Sequence, residues 1–272
     1  MNIYPAEQYS PTSHSDYWEK LKQFTDARIA LGRAGCSLPT RPMLEFQLAH
    51  AQARDAVYQQ LDTESLQQQF KKQLQLESLW VTSQTIDKEH YLKRPDLGRL
   101  LDDDSRNRLR LWRQDHPDPV DVCLVVGDGL SALALEVNAL PFIAALQPLI
   151  QQEQWRLAPI VIATSSRVAL GDDVAEILQA KMLVMLIGER PGLSSPDSMG
   201  IYYTWQAHRG SLDSQRNCIS NIRPGGLTIT LASQRLIHLM RQSCTLGLSG
   251  TQLKDEHQVE TIEHSTMQNR LF

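Results

Sequence analysis

Glu189 and Arg190 stand side by side in the loop GERPGLSSPDS, directly after the apolar run from Met182 to Ile187. In open α/β sheets ligands sit outside the carboxyl ends of strands, so a carboxylate beside a guanidinium in such a loop is placed to accept from and donate to a ligand. The same two side chains could equally satisfy each other as an ion pair. A second candidate is Gly127-Asp128-Gly129-Leu130-Ser131-Ala132, which fits GxGxxA after an apolar run and ahead of a helical pattern. Asp128 argues against a dinucleotide there, because a carboxylate about 4 Å from a phosphate at an effective dielectric of ~20 costs roughly 4 kcal/mol. The ribose-binding acid is also missing, since Ala163 leads into Thr164, Ser165, Ser166 and Arg167. A dinucleotide-dependent oxidoreductase is therefore the alternative function, with the glycines simply permitting a tight turn as the plain reading. Metal chemistry has little support: no two of the eight histidines are three or four apart, and Cys36, Cys123, Cys218 and Cys244 have no near partner. A nucleophile elbow fails at Gly247-Leu248-Ser249-Gly250, where Thr251 stands in place of the last glycine.

The elements that must position these residues follow from the pattern. DVCLVV (121–126), APIVIAT (158–164), the run at 182–187 and LTITLA (227–232) read as strands, with helical patterns between them. Alternation of this kind predicts βαβ crossovers and an α/β fold: a doubly wound, mainly parallel-sheet, Rossmann-like domain over 113–256. Ahead of it, 25–112 reads as a helical domain, 1–24 as a flexible or helical leader, and 257–272 as a tail. Within 38–61, Leu44, Leu48 and Ala51 form one helical stripe, and the Gln-rich segment 64–76 reads as a surface helix. RPDLG (94–98) is a shaped loop carrying an ion pair or an interface. The loops around the predicted strands are rich in Ser, Gly, Arg, Asn and Asp, which suits a large neutral ligand with many amides better than a bare phosphate.

Composition narrows the class further. A net charge of −4 gives no general attraction to nucleic acid or acidic lipid. Four scattered cysteines suit a reducing compartment, the N-terminus has no secretory pattern, and the apolar stretch at 133–150 is interrupted by Glu136, Asn138, Pro141 and Gln147. A cytoplasmic protein is expected.

At GRAG, RPDLG, DGLSA, RVALGDD, GERPGLSSPDS and RNCISNIRPGG, in that order between Thr25 and Glu256, the sequence resembles the small subunit of ethanolamine ammonia-lyase. GERPGL together with CISNI is the most specific part of the match. The resemblance implies an adenosylcobalamin-dependent lyase subunit converting ethanolamine to acetaldehyde and ammonia. The chemistry implied is homolysis of the Co–C bond, hydrogen abstraction, 1,2-amino migration and loss of ammonia. It also implies a large TIM-barrel partner subunit carrying the substrate site and contacted by the helical domain 25–112, a hetero-oligomer of paired subunits, and cobalamin held between the two. The family's cobalamin contacts fall on Val168, Glu189 and Cys218, with no catalytic residue and no metal ligand on this chain. Some members carry a longer N-terminal extension linked to a bacterial microcompartment; about two dozen residues precede TDARIALG here, so the microcompartment is the alternative location. Asp255-Glu256-His257 begins like the DxHxxG of base-off cobalamin proteins, but Glu260 holds the glycine position, which favours base-on binding.

Overall fold

The computed structural model describes residues 17–254. Residues 17–51 belong to one compact unit and 52–254 to another. The first unit holds a 3₁₀ turn at Tyr17–Gln23 and most of helix α1 (Thr40–Tyr58). Its GRAG motif is a turn closed by reciprocal bonds between Ala34 and Ser37.

The second unit is α/β. Its strands are β1 (Ser78–Thr82), β2 (Val120–Gly127), β3 (Ile160–Thr164), β4 (Ala180–Gly188), β5 (Met199–Trp205) and β6 (Arg216–Ile222), and its helices are α2 (Thr63–Gln69), α3 (Lys88–Lys93), α4 (Asp103–Asp115), α5 (Ala132–Gln152), α6 (Leu170–Leu178) and α7 (Ile229–Leu246). One six-stranded sheet runs β1-β3-β2-β4-β5-β6. The pairings from β1 through β4 are parallel, whereas β4–β5 and β5–β6 are antiparallel.

The central strands read as continuous apolar runs because both of their faces are buried. Val122, Leu124 and Val126 of β2 and Met182, Val184 and Leu186 of β4 join one core with α5 and α7. Cys123 and Val125, with Leu183, Met185 and Ile187, join a second core with Leu109 of α4 and Leu170, Val174 and Leu178 of α6. The apolar helix α5 passes a length-and-composition test for a membrane span, but Leu135, Phe142, Ile143 and Leu146 are fully buried against the sheet and α7, so it is a core helix.

Three expectations need correction. The sheet is mixed, parallel from β1 through β4 and antiparallel beyond, so the doubly wound, Rossmann-like reading does not extend across it. The predicted strand at 227–232 is the start of α7, whose N-cap Thr228 accepts from the Leu231 N–H at 3.3 Å. The missing strands are the β5–β6 hairpin, whose alternating pattern signals pairing less strongly than a solid apolar run does. Residues 78–82, inside the stretch expected to be helical, form the edge strand β1; the Gln-rich segment is helical as expected, burying Leu66 and Phe70 and exposing Lys71 and Lys72. β1 is five residues long and its partner β3 lies far along the chain, so no local signal marks it.

Candidate functional site

The loop after β2 shows what the glycine fingerprint is for. Asp128 is buried and accepts from the Ser165 N–H at 2.8 Å and the Ser166 N–H at 2.9 Å. Its carboxylate thus ties the β2 loop to the β3 loop. Burial pushes the carboxyl above its usual range, opposed by the Lys88 ammonium 3.9 Å away. Gly129 has φ +53°, and a Cβ there would lie 2.3 Å from the Gly188 carbonyl. A Cβ on Gly188 would lie 2.0 Å from the Ser131 carbonyl. These glycines therefore let the β2 and β4 loops interlock. A turn filled by its own carboxylate and closed against a neighbouring loop is no cradle for a pyrophosphate, and the dinucleotide alternative loses its basis.

The rest of the rim is bound as tightly. Ser131 caps α5 by accepting from Ala134 N–H at 3.2 Å and donates its hydroxyl to the Pro196 carbonyl at 2.7 Å. Asn138 donates to the Asp197 carbonyl at 2.9 Å. The GERPG loop is thereby pinned along α5. Among the described residues Glu189 forms no ion pair with its neighbour Arg190. Its carboxylate instead accepts from the Ser198 hydroxyl at 2.6 Å and faces the Asn221 N–H at 3.4 Å. It lies over Gly200 of β5, where a Cβ would come within 2.7 Å of Oε1.

Gly200 begins one face of the hairpin. On that face Tyr202 pairs in register with Cys218, and Thr204 with Arg216. Arg216 is anchored from behind by the buried Asp172 of α6, with Nη1–Oδ1 at 2.5 Å and Nη2–Oδ2 at 2.7 Å. Burial raises the Asp172 carboxyl above its usual range, against the pull of Arg216. Asp173, next along α6, pairs with Arg106 of α4. The two carboxylates of RVALGDD therefore hold β6 and α4 to one helix.

A cavity of about 410 Å³ opens here, lined by Pro95, Arg99, Arg167, Val168, Ala169, Tyr202, Asp213, Arg216 and Cys218. It brings together RPDLG, the β3 loop and the β6 face. Val168 and Cys218 both line it. Glu189 does not, but its charge reaches Tyr202 and Cys218 and adds to the raised affinity of both for their protons. For Cys218 the main cause is desolvation of the sulfur, although the residue as a whole is exposed. Tyr202 is pushed up to about 12, mainly by burial. Of the three residues singled out in the sequence, Val168 and Cys218 thus share one cavity, and Glu189 stands outside its lining with its charge felt at Cys218. Tyr202, Arg99 and Arg167 were not singled out. RPDLG and RVALGDD pointed to the two arginines' neighbourhood, whereas Tyr202 needed the hairpin. His257 lies outside the described residues.

Comparison with known proteins agrees with this order of motifs. Residues 15–254 match the family model for the ethanolamine ammonia-lyase light chain (EutC). The chain is 51% identical over 253 residues to a Pseudomonas fluorescens (strain Pf0-1) protein named ethanolamine ammonia-lyase small subunit, covering 93% of this chain and 92% of that one. It is 50% identical over 246 residues to the same-named protein of Pseudomonas aeruginosa (strain UCBPP-PA14), covering 90% of each. It is 48% identical over 246 residues to that of Azotobacter vinelandii, covering 90% of this chain and 91% of the relative. The chain belongs to the ethanolamine ammonia-lyase light-chain family.

Proposed function

We propose that this chain is the small subunit of an adenosylcobalamin-dependent ethanolamine ammonia-lyase, cytoplasmic, acting as a hetero-oligomer with a large subunit that carries the substrate site. In this reading Val168, Glu189 and Cys218 contact the cobalamin. The observation that carries it is the cavity shared by Val168 and Cys218, with Cys218 within reach of the Glu189 charge. Adenosylcobalamin, when bound, would supply the radical chemistry that turns ethanolamine into acetaldehyde and ammonia.

The residues fit such a group. A corrin offers amide N–H and carbonyl groups around an apolar ring. Glu189 is an acceptor with spare lone pairs, held in place by Ser198. Val168 and Cys218 offer apolar and soft contact. The Arg167 Nε is buried without a hydrogen-bond partner among the described residues, a donor that a bound ligand would satisfy. With its pKa raised, Cys218 stays a thiol near neutrality, so its role is contact and not ligation of cobalt. A cavity of about 410 Å³ is within the range that suits a drug-sized molecule and is small for a whole cobalamin, which supports a site shared with a second subunit.

On this reading the chain binds and orients; it moves no proton and carries no radical. The test is co-expression with the large subunit from the neighbouring reading frame, followed by purification with cobalamin. Negligible deaminase activity is expected for this chain alone and full activity for the pair. Robust turnover of ethanolamine by the isolated chain would sink the proposal.

A further inference from the structure

The cavity lining carries groups of two chemical kinds. Tyr202 and Cys218 line it and feel the charge of Glu189, which lies outside the lining, and Arg99 and Arg167 line it from RPDLG and the β3 loop. Of the charged groups lining it, Arg216 is neutralised by Asp172 and also faces Asp213 at 3.3 Å. Among the described residues neither Arg99 nor Arg167 forms an ion pair with a carboxylate. Two unneutralised guanidinium groups therefore remain.

Arg167 is built to stay where it is. Its N–H donates to the Gly98 carbonyl at 2.8 Å. Its guanidinium carbon lies 4.5 Å from the centroid of the Tyr91 ring. That ring is fully buried, and its hydroxyl donates to the Ser166 carbonyl at 2.9 Å. Lys88 lies on the same ring at 4.9 Å but is committed elsewhere, to the Gly129 carbonyl at 3.2 Å and to Asp128. The Tyr91 ring face holds the Arg167 guanidinium by a cation–π contact, while its Nε keeps an unmet proton. A pre-oriented planar donor beside a second, exposed arginine matches the oxygens of a phosphate ester, which a guanidinium meets with two parallel bonds.

We infer that Arg167, assisted by Arg99, takes the phosphodiester of the cobalamin's nucleotide loop, so that this loop lies toward RPDLG. This rests on the cobalamin reading above.

The test uses the purified two-subunit complex and three probes: cyanocobalamin, cobinamide phosphate, and cobinamide, which lacks the phosphate. Equilibrium binding is followed by absorbance. Arg167→Gln is expected to raise Kd about tenfold for the two phosphate-bearing probes and less than about twofold for cobinamide. Arg167→Lys should recover only part, since an ammonium lacks the fork. Arg99→Gln, at an exposed position that folding does not need, should weaken the same two probes about threefold, and less at high salt. Equal losses for all three probes would overturn the assignment and leave Arg167 as scaffold. So would a loss of subunit association that is independent of the probe, which would place a partner carboxylate on the arginines. Inorganic phosphate should compete with cobinamide phosphate but not with cobinamide; binding of free phosphate with unchanged cobalamin affinity in the variants would also overturn it. If the wild-type complex binds none of the three probes, the cobalamin reading itself has failed.

Discussion

Carboxylates on this chain divide by what already holds them. Asp128, Asp172 and Asp173 are buried and consumed as tethers between loops and elements. Glu189 is half-buried and keeps acceptor capacity on the side of Cys218. Glu189→Gln should therefore leave the fold intact while weakening cobalamin binding by the complex several-fold, since charge-assisted bonds are about twice as strong as neutral ones. The same variant has a pH signature. Glu189 disfavours the Cys218 thiolate, so removing its charge lowers that thiol's pKa. Alkylation of Cys218, followed by peptide mass mapping, should then start at lower pH in the variant than in wild type. An unchanged or upward-shifted profile would show that the carboxylate does not act on the sulfur. Arg216→Met leaves Asp172 buried without its partner and should cost about 3–5 kcal/mol in urea unfolding. Pairing it with Asp172→Leu should return much of that loss.

At the scale of elements, the rim is a set of loops closed on one another, and glycine marks where they touch. Gly188→Ala would drive a Cβ against the Ser131 and Asp128 carbonyls, at 2.0 and 2.6 Å, so the backbone must move. Gly210→Ala meets nothing within 4 Å and suffers only from its φ of +95°. Gly188→Ala should accordingly lose several kcal/mol or fail to fold, while Gly210→Ala loses about 1–3 kcal/mol. Chemical denaturation of the two variants in parallel checks the order; equal losses would mean that the loops do not interlock. The hairpin β5–β6 gives the site its floor. Its inner face, with Met199, Ile201, Tyr203 and Ile219, joins the core with α5 and α7, and its other face is left to Gly200, Tyr202, Thr204, Arg216 and Cys218.

For the molecule as a whole, α1 is patterned the wrong way round for a chain that acts alone. Its buried positions include Ala49, Ala53 and Ala56, whereas Leu44 and Leu48 are 55% and 60% exposed. Phe24 and Leu38, in the same N-terminal unit, are 78% and 53% exposed. An apolar stripe turned outward in this manner marks a protein interface. In a family whose members are named small subunits, we propose that a large subunit covers it. Leu44→Lys with Leu48→Lys should abolish co-purification with the large subunit and leave the thermal unfolding of residues 52–254 unchanged. Retained co-purification would place the contact elsewhere.

Local order was enough for much of this. The solid apolar runs of β2, β3 and β4 announce strands buried on both faces, and the motif order from GRAG to RNCISNIRPGG identifies the family with Val168, Glu189 and Cys218 as residues of interest. Local order could not show that LTITLA caps and opens a helix, that SLWVT is an edge strand, or that the hairpin runs antiparallel. It also suggested Glu189 with Arg190 and a glycine cradle at 127–132, because neighbours in sequence are the only partners a sequence displays. Tertiary packing assigned Glu189 to Ser198 and Asn221, and Asp128 to the next loop. The reason is physical: strand identity is encoded in side-chain hydrophobicity, whereas pairing and the partner of a buried charge are chosen by contacts between segments far apart in the chain, whose energies no local pattern contains.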